Sequence, residues 1–313
     1  MRRVLTGIAA FLALVVAPSV YAATVGVGTM AQGTVSFSTG SVLAKVMKEK
    51  MGMNARVQPN SGETVLVPLI NNGELDFGIA NVLEAEDAYH GQHGFEGRAQ
   101  KNLRIAAVLY PLRTALFVRK DSEFMKTSDL KGKRVTYGFS AMGTINTVMQ
   151  SLLANSGLTE EDIKPVLVPN VVKGAEQFLN GRADAFFFAV GAAKVSEVNA
   201  SIPLRALPME DSPEAVKRFN DIFPGGYLFE VPPLPNFAGV LKPTKVLAYD
   251  NILLTGTHVS NEMAKAVAEG LAKYKDDLAA GFPLFRGLDP NRIYLEGTRV
   301  PFHPGTEEWA KSR

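Results

Sequence analysis

The sequence predicts an α/β chain of two similar lobes joined by crossing segments that form a hinge, with a cleft between them. Three observations carry this. In GVGTMAQGTVSF, residues 26–37, Gly28 and Gly33 are separated by four residues and followed by Thr34. The pattern recurs in RVTYGFSAMGTINTVMQSLL, where Gly138, Gly143 and Thr144 stand 110 positions further on. A second pair, NNGELDFGIAN from Asn71 and NGRADAFFFAV from Asn180, shares Asn-Gly-x-x-Asp before an apolar run, with Asn72 and Asn180 offset by 108. Beyond Leu207 the composition changes, so a third region follows two tandem units of about a hundred residues each.

Each element has a local reason. In both copies of the glycine loop β-branched residues come first. Apolar residues at helical spacing follow, Val42, Leu43, Val46 and Met47 in one and Val148, Met149, Leu152 and Leu153 in the other. That is strand, loop, helix. In the second pair Asn-Gly stops a helix, and the apolar run after the Asp reads as a buried strand. The first unit covers about Ala23 to Tyr110 and the second about Leu116 to Leu207. FPGGYLFEVPPLPNFAG, residues 223–239, reads as an ordered but irregular connection, and VLAYDNILLTGTHVS supplies strand residues. NEMAKAVAEGLAKYKDDLAAG reads as one helix, with Met263, Val267, Leu271 and Tyr274 on a single stripe. This last region is expected to return to the first lobe, giving residues 23–112 with 236–313 in one lobe and 113–235 in the other.

At the N-terminus Arg2 and Arg3 precede the apolar run VLTGIAAFLALVVAP and the small-x-small pattern VYA at residues 20–22. This reads as a signal peptide occupying residues 1–22, cleaved near Ala22 and Ala23, because the apolar run is shorter than the ~20 residues of a spanning helix. Cleavage leaves 291 of the 313 residues, with 31 basic against 31 acidic side chains. The balanced charge, without basic runs, argues against nucleic acid or an acidic membrane surface as partner. Cysteine is absent, which removes thiol nucleophiles, thiolate metal ligands and lipidated cysteine; a freely diffusing periplasmic protein without cofactor is expected.

The glycine loops are poor nucleotide sites. Thr34 stands where a P-loop needs lysine, and Ala31 where the dinucleotide pattern needs its third glycine. A helix N-terminus nevertheless offers amides without intrahelical partners and partial positive charge. Two such termini on facing lobes are expected to grip a small carboxylate as the cleft closes.

The segments GTMAQGTVSFSTGSVLAKVM, PNSGETVLVPLINNGELDFGIAN, LYPLRTALFVRKDS, SDLKGKRVTYGFSAMGT, DAFFFAVGAA and VPFHPGTEEW resemble, in order and over nearly the whole mature chain, those of the TAXI-type solute-binding proteins of tripartite ATP-independent periplasmic (TRAP) transporters. The resemblance implies a bilobed type II periplasmic-binding-protein fold that captures a small solute and delivers it to a membrane permease. Glutamate-like amino acids, dicarboxylates and related 2-oxoacids are the implied ligands. Carried over by position, Thr29, Met30, Thr34 and Val35 of the first loop would line the cleft with Asn60, Ser61 and Asn81. From the second lobe would come Ser140, Met142, Gly143, Thr144, Val190 and Gly191, with Tyr227 reaching in from the irregular connection. Many members have a tyrosine pair after the Gly-Thr of the first loop; this chain has Val35 and Ser36.

Arg113, just after Tyr-Pro, has the planar fork that suits a carboxylate, though a structurally paired arginine fits the same position. Lys173 and Lys194 share that ambiguity. An exported enzyme on the same scaffold is the competing class. YGFSAMG lacks the second glycine of a nucleophile elbow, and no histidine lies near Ser140. A third reading has the protein present its ligand to a sensor receptor.

Overall fold

The computed structural model describes residues 24–313; the expected signal peptide lies outside them. Two parallel three-stranded units recur. In the first, β1 (Val25–Thr29) lies between β2 (Ala55–Pro59) and β3 (Phe77–Asn81). In the second, β5 (Arg134–Tyr137) lies between β6 (Lys164–Leu167) and β7 (Ala185–Ala189). Parallel strands need crossover helices. These are α1 (Val35–Lys50) and α2 (Glu63–Asn71) in the first unit, and α4 (Ile145–Asn155) and α5 (Val171–Leu179) in the second. The two units share the same strand order.

The Asn-Gly stops do what their chemistry dictates. Asn72 caps α2 and Asn180 caps α5, and Gly73 and Gly181 follow with φ of 78° and 69°, the left-handed region where a Cβ is costly. After β3 and β7 come α3 (Val82–His90) and α6 (Ala193–Ser201).

Two long antiparallel strands join the lobes. β4 (Leu103–Arg119) pairs along its length with β10 (Thr244–Gly256). The first-lobe end of β10 also pairs with β3, and the second-lobe end of β4 pairs with β7. The ten strands of the described residues therefore form one continuous sheet. The register of the pair shifts between Asn251 and Ile252 and again between Leu253 and Leu254, which leaves Leu109 and Ala106 of β4 unpaired. C-terminal segments complete this irregular backbone. Ile105 N donates to Pro301 O at 3.0 Å, Val108 N to Ile293 O at 2.9 Å, and Thr306 Oγ1 to Ala106 O at 2.9 Å.

Two regions differ from the sequence reading. The Pro- and Gly-rich stretch 223–239 contains a strand, β9 (Tyr227–Val231), paired with β10. A partner strand overrides weak local propensity there. The expected single C-terminal helix is two, α8 (Asn261–Lys273) and α9 (Lys275–Gly281), broken at Tyr274. The remaining strand and α-helices are β8 (Leu204–Ala206), α7 (Pro213–Asn220) and α10 (Pro304–Lys311); α10 packs on α8.

Candidate functional site

The lobes are closed on each other by hydrogen bonds that each use a backbone group. Lys194 N donates to Gly33 O at 3.0 Å, Gly143 N to Thr64 Oγ1 at 3.1 Å, and Asn170 Nδ2 to Ser61 O at 3.3 Å. Gly62 is packed so closely that a Cβ there would lie 2.0 Å from Ala141 O.

Where the lobes meet they leave a small, partly enclosed cavity between them. The first lobe contributes Met30, Thr34, Val35 and Ser36 from the loop between β1 and α1, Glu63 from the start of α2, and Ile79 and Asn81 from β3. The second lobe contributes Met142, Ile145, Val171 and the end of β7 from Phe187. The crossing strands supply the floor, Leu112 and Thr114 from β4 and Tyr249 and Asn251 from β10. Strand alternation decides which residues these are. Arg113 and Asp250 point to the other face, where Asp250 accepts from Tyr227 Oη at 3.2 Å and from Arg292 at 3.1 Å.

Of the residues expected at the site, Met30, Thr34, Val35, Asn81 and Met142 line the cavity. Ser61, Gly143 and Thr144 sit at the seam between the lobes, outside the cavity wall. Thr29 is buried behind the wall, its hydroxyl donating to Met30 O, and Asn60 turns its amide to Gln58 O. Ser140 is exposed. Val190 is buried with its amide on Arg113 O, and Gly191, at φ 85°, packs against Phe237 and Leu284. Tyr227 is spent on Asp250. The Arg113 guanidinium stacks 4.4 Å from the Phe229 ring, and burial lowers its pKa. It is placed for packing on the far face, away from the cavity.

Glu63, Thr114, Tyr249 and Asn251 are cavity residues that sequence reading missed. An acid in a helix's first turn already suits the helix dipole, so Glu63 gives no separate signal in the sequence. Tyr249 and Asn251 carried a legible signal, polar groups two apart in the apolar run LAYDNILL.

The site is electrostatically one-sided. Thr34 Oγ1 caps α1 by accepting from Phe37 N at 3.1 Å, while Asn81 Oδ1 caps α3 by accepting from Glu84 N at 2.9 Å. Asn81 Nδ2 donates to Glu63 Oε1 at 3.4 Å. Glu63 Oε2 is buried without a partner, and burial pushes this carboxyl up to about 7. Glu84 is fully buried; burial first, then the charge of Glu63, holds it well above the ordinary glutamate range. Burial also raises Asp87, opposed by His93, whose Nδ1 lies 2.9 Å from Asp87 Oδ1. Thr144, at the start of α4, lies beside Glu84 and Asp87 and lowers both without making a hydrogen bond of ordinary geometry. The second-lobe helix terminus thus meets the protein's own carboxylates.

This arrangement makes stability depend on pH with a definite sign. Glu63 and Glu84 hold protons more tightly folded than unfolded, so their contribution is complete below the ordinary glutamate range and is lost as pH rises, through about 7 for Glu63. Glu84→Gln keeps the shape and removes one acid. Urea unfolding of this variant is expected to show a flatter decline than the unsubstituted protein between about pH 5 and pH 8. An unchanged slope would assign the dependence to other groups.

The fold and the enclosed cavity define a class, the bilobed type II periplasmic-binding-protein fold. Within it the chain belongs to the NMT1-like family, whose model matches residues 27–311. Among solved structures the chain is similar to the alkanesulfonate-binding protein SsuA from Xanthomonas axonopodis pv. citri bound to MOPS, at 16% identity and a TM-score of 0.52, covering 93% of this chain and 84% of that one. It is similar also to the substrate binding protein of an amino acid ABC transporter, at 15% identity and 0.51, covering 83% and 99%. The BvgS VFT2 domain of Bordetella pertussis matches at 15% identity and 0.50, covering 84% and 93%. At these identities the likeness is one of fold.

Proposed function

We propose that this chain is an exported, periplasmic solute-binding protein that takes a small carboxylate into the interlobe cavity and delivers it to the membrane permease of a TRAP transporter. The cavity carries the reading: it forms only where the lobes meet, and Thr34, Val35 and Ser36 at the start of α1 open onto it. A carboxylate suits the free amides of that terminus. The cavity wall holds hydroxyls but no histidine, which favours capture over catalysis. The TRAP partner rests on the ordered resemblance of segments along the chain. A receptor reading the same closed form is the second possibility, in keeping with the fold shared with a histidine kinase sensor domain that has similarity to periplasmic binding proteins.

Thermal unfolding of the mature protein, refolded first to strip carried ligand, tests capture against amino acids, 2-oxoacids, dicarboxylates and aromatic acids. A true ligand at a hundredfold excess over its Kd adds about 2.7 kcal/mol and raises the midpoint. No shift across the panel would reject carboxylate capture. Pull-down from membranes with the bound ligand separates permease from receptor.

A further inference from the structure

The cavity holds an acid and no cation to answer it. Glu63 is 2% exposed, and among the described residues its Oε2 has no hydrogen-bond partner and no lysine, arginine or histidine lines the space with it. Asn251 Nδ2 is the other buried, unpartnered polar group on the wall. The wall also carries apolar side chains, among them Met30, Ile79, Leu112, Met142 and Phe187. A dicarboxylate placed here would add two negative charges beside a buried acid, with no side-chain cation on the wall to receive them. That desolvation is unfavourable.

We propose that Glu63 selects the solute by receiving the ammonium of a compact amino acid with an apolar side chain, whose carboxylate rests on the amides that begin α1. The proposal rests on the reading of the cavity as the solute site. Phe37 N is taken by Thr34 Oγ1, which leaves the earlier amides of Val35 and Ser36, both wall residues, without intrahelical partners. The Asn251 amide donates to the second carboxylate oxygen.

A proton balance follows. Around Glu63, burial raises Glu84 of α3 and Tyr249 of β10, while Asp87, further along α3, is paired with His93. Glu63, pushed up by burial to about 7, titrates near neutrality. An incoming ammonium favours the carboxylate, so the Glu63 proton leaves to solvent as the ion pair forms. No other bond is made or broken.

Calorimetry on the stripped mature protein tests this with L-valine, L-leucine and L-methionine, each beside its 2-oxoacid, and with L-glutamate and succinate. Titrations in two buffers of different ionisation enthalpy count protons. The expected result is that an apolar amino acid binds and its 2-oxoacid binds roughly 10- to 100-fold more weakly. Binding should release close to one proton at about pH 6 and almost none at about pH 8. Glu63→Gln should lose both the release and the preference. A 2-oxoacid, succinate or glutamate binding as tightly as the apolar amino acids, or proton uptake on binding, would overturn the assignment while leaving solute capture intact. Absence of binding by every compound, to the unsubstituted protein and the variant alike, would remove the solute reading and this inference together.

Discussion

Gly62→Ala is expected to abolish solute capture while both lobes stay folded. The backbone at Gly62 is extended, with φ 177° and ψ 174°, which any residue adopts, so the substitution introduces no local strain. Its effect lies across the seam. The new methyl would sit 2.0 Å from Ala141 O and 2.6 Å from Met142 Cγ, and the nearer of these is backbone of the other lobe. The lobes must then stop short of contact, breaking the Gly143–Thr64 and Asn170–Ser61 hydrogen bonds and leaving the cavity open. Affinity measured by calorimetry should fall roughly 100-fold or more, which is about 2.7 kcal/mol. Small-angle scattering in the presence of ligand should keep the larger radius of the open form. Unchanged affinity would mean that closure to this contact is dispensable for binding.

The largest expected loss of stability comes from Phe186→Ala. Phe186 is buried on β7 and points away from the cavity that Phe187 helps to line. It stacks on Phe117 of β4 with ring centroids 5.4 Å apart and packs on Phe178 of α5 at 4.8 Å. Removing the ring empties a site walled by a sheet and a helix that cannot both collapse, at a cost of about 3–5 kcal/mol. The urea midpoint should drop with little change in slope, and the protein that remains folded should bind its solute as before. A loss of under ~1 kcal/mol would show that the surrounding aromatics repack, since volume changes are tolerated only where neighbours can shift.

What was legible in the sequence was written locally. The Asn-Gly stops before β3 and β7 work by backbone conformation at a single glycine, and the strand–loop–helix repeats need only neighbouring residues. The two loops, however, use their matched threonines differently. Thr34 caps α1 with its side chain, whereas Thr144 precedes α4 in helical conformation and makes no cap bond. Ile145 at the start of α4 still lines the cavity, but Thr144 beside it is turned to Glu84 and Asp87. Arg113 could not be placed from its own neighbourhood, because its side depends on the pairing of β4 with β10 across more than a hundred residues. Glu63 was hidden for the opposite reason, since a sufficient local explanation already existed for an acid at a helix start.

The crossing of β10 also orders the birth of the molecule. β3 and its antiparallel partner in β10 are separated by about 170 residues, so a chain emerging from the ribosome carries the edge of the first sheet unpaired while the whole second lobe is made. That edge, Phe77–Asn81, is apolar and entirely buried in the finished protein. The second lobe's three central strands lie nearer together in the chain and can pair first. The lobe that begins the chain is therefore the last to be sealed, and its open strand is where nascent or partly assembled copies are most prone to stick to one another.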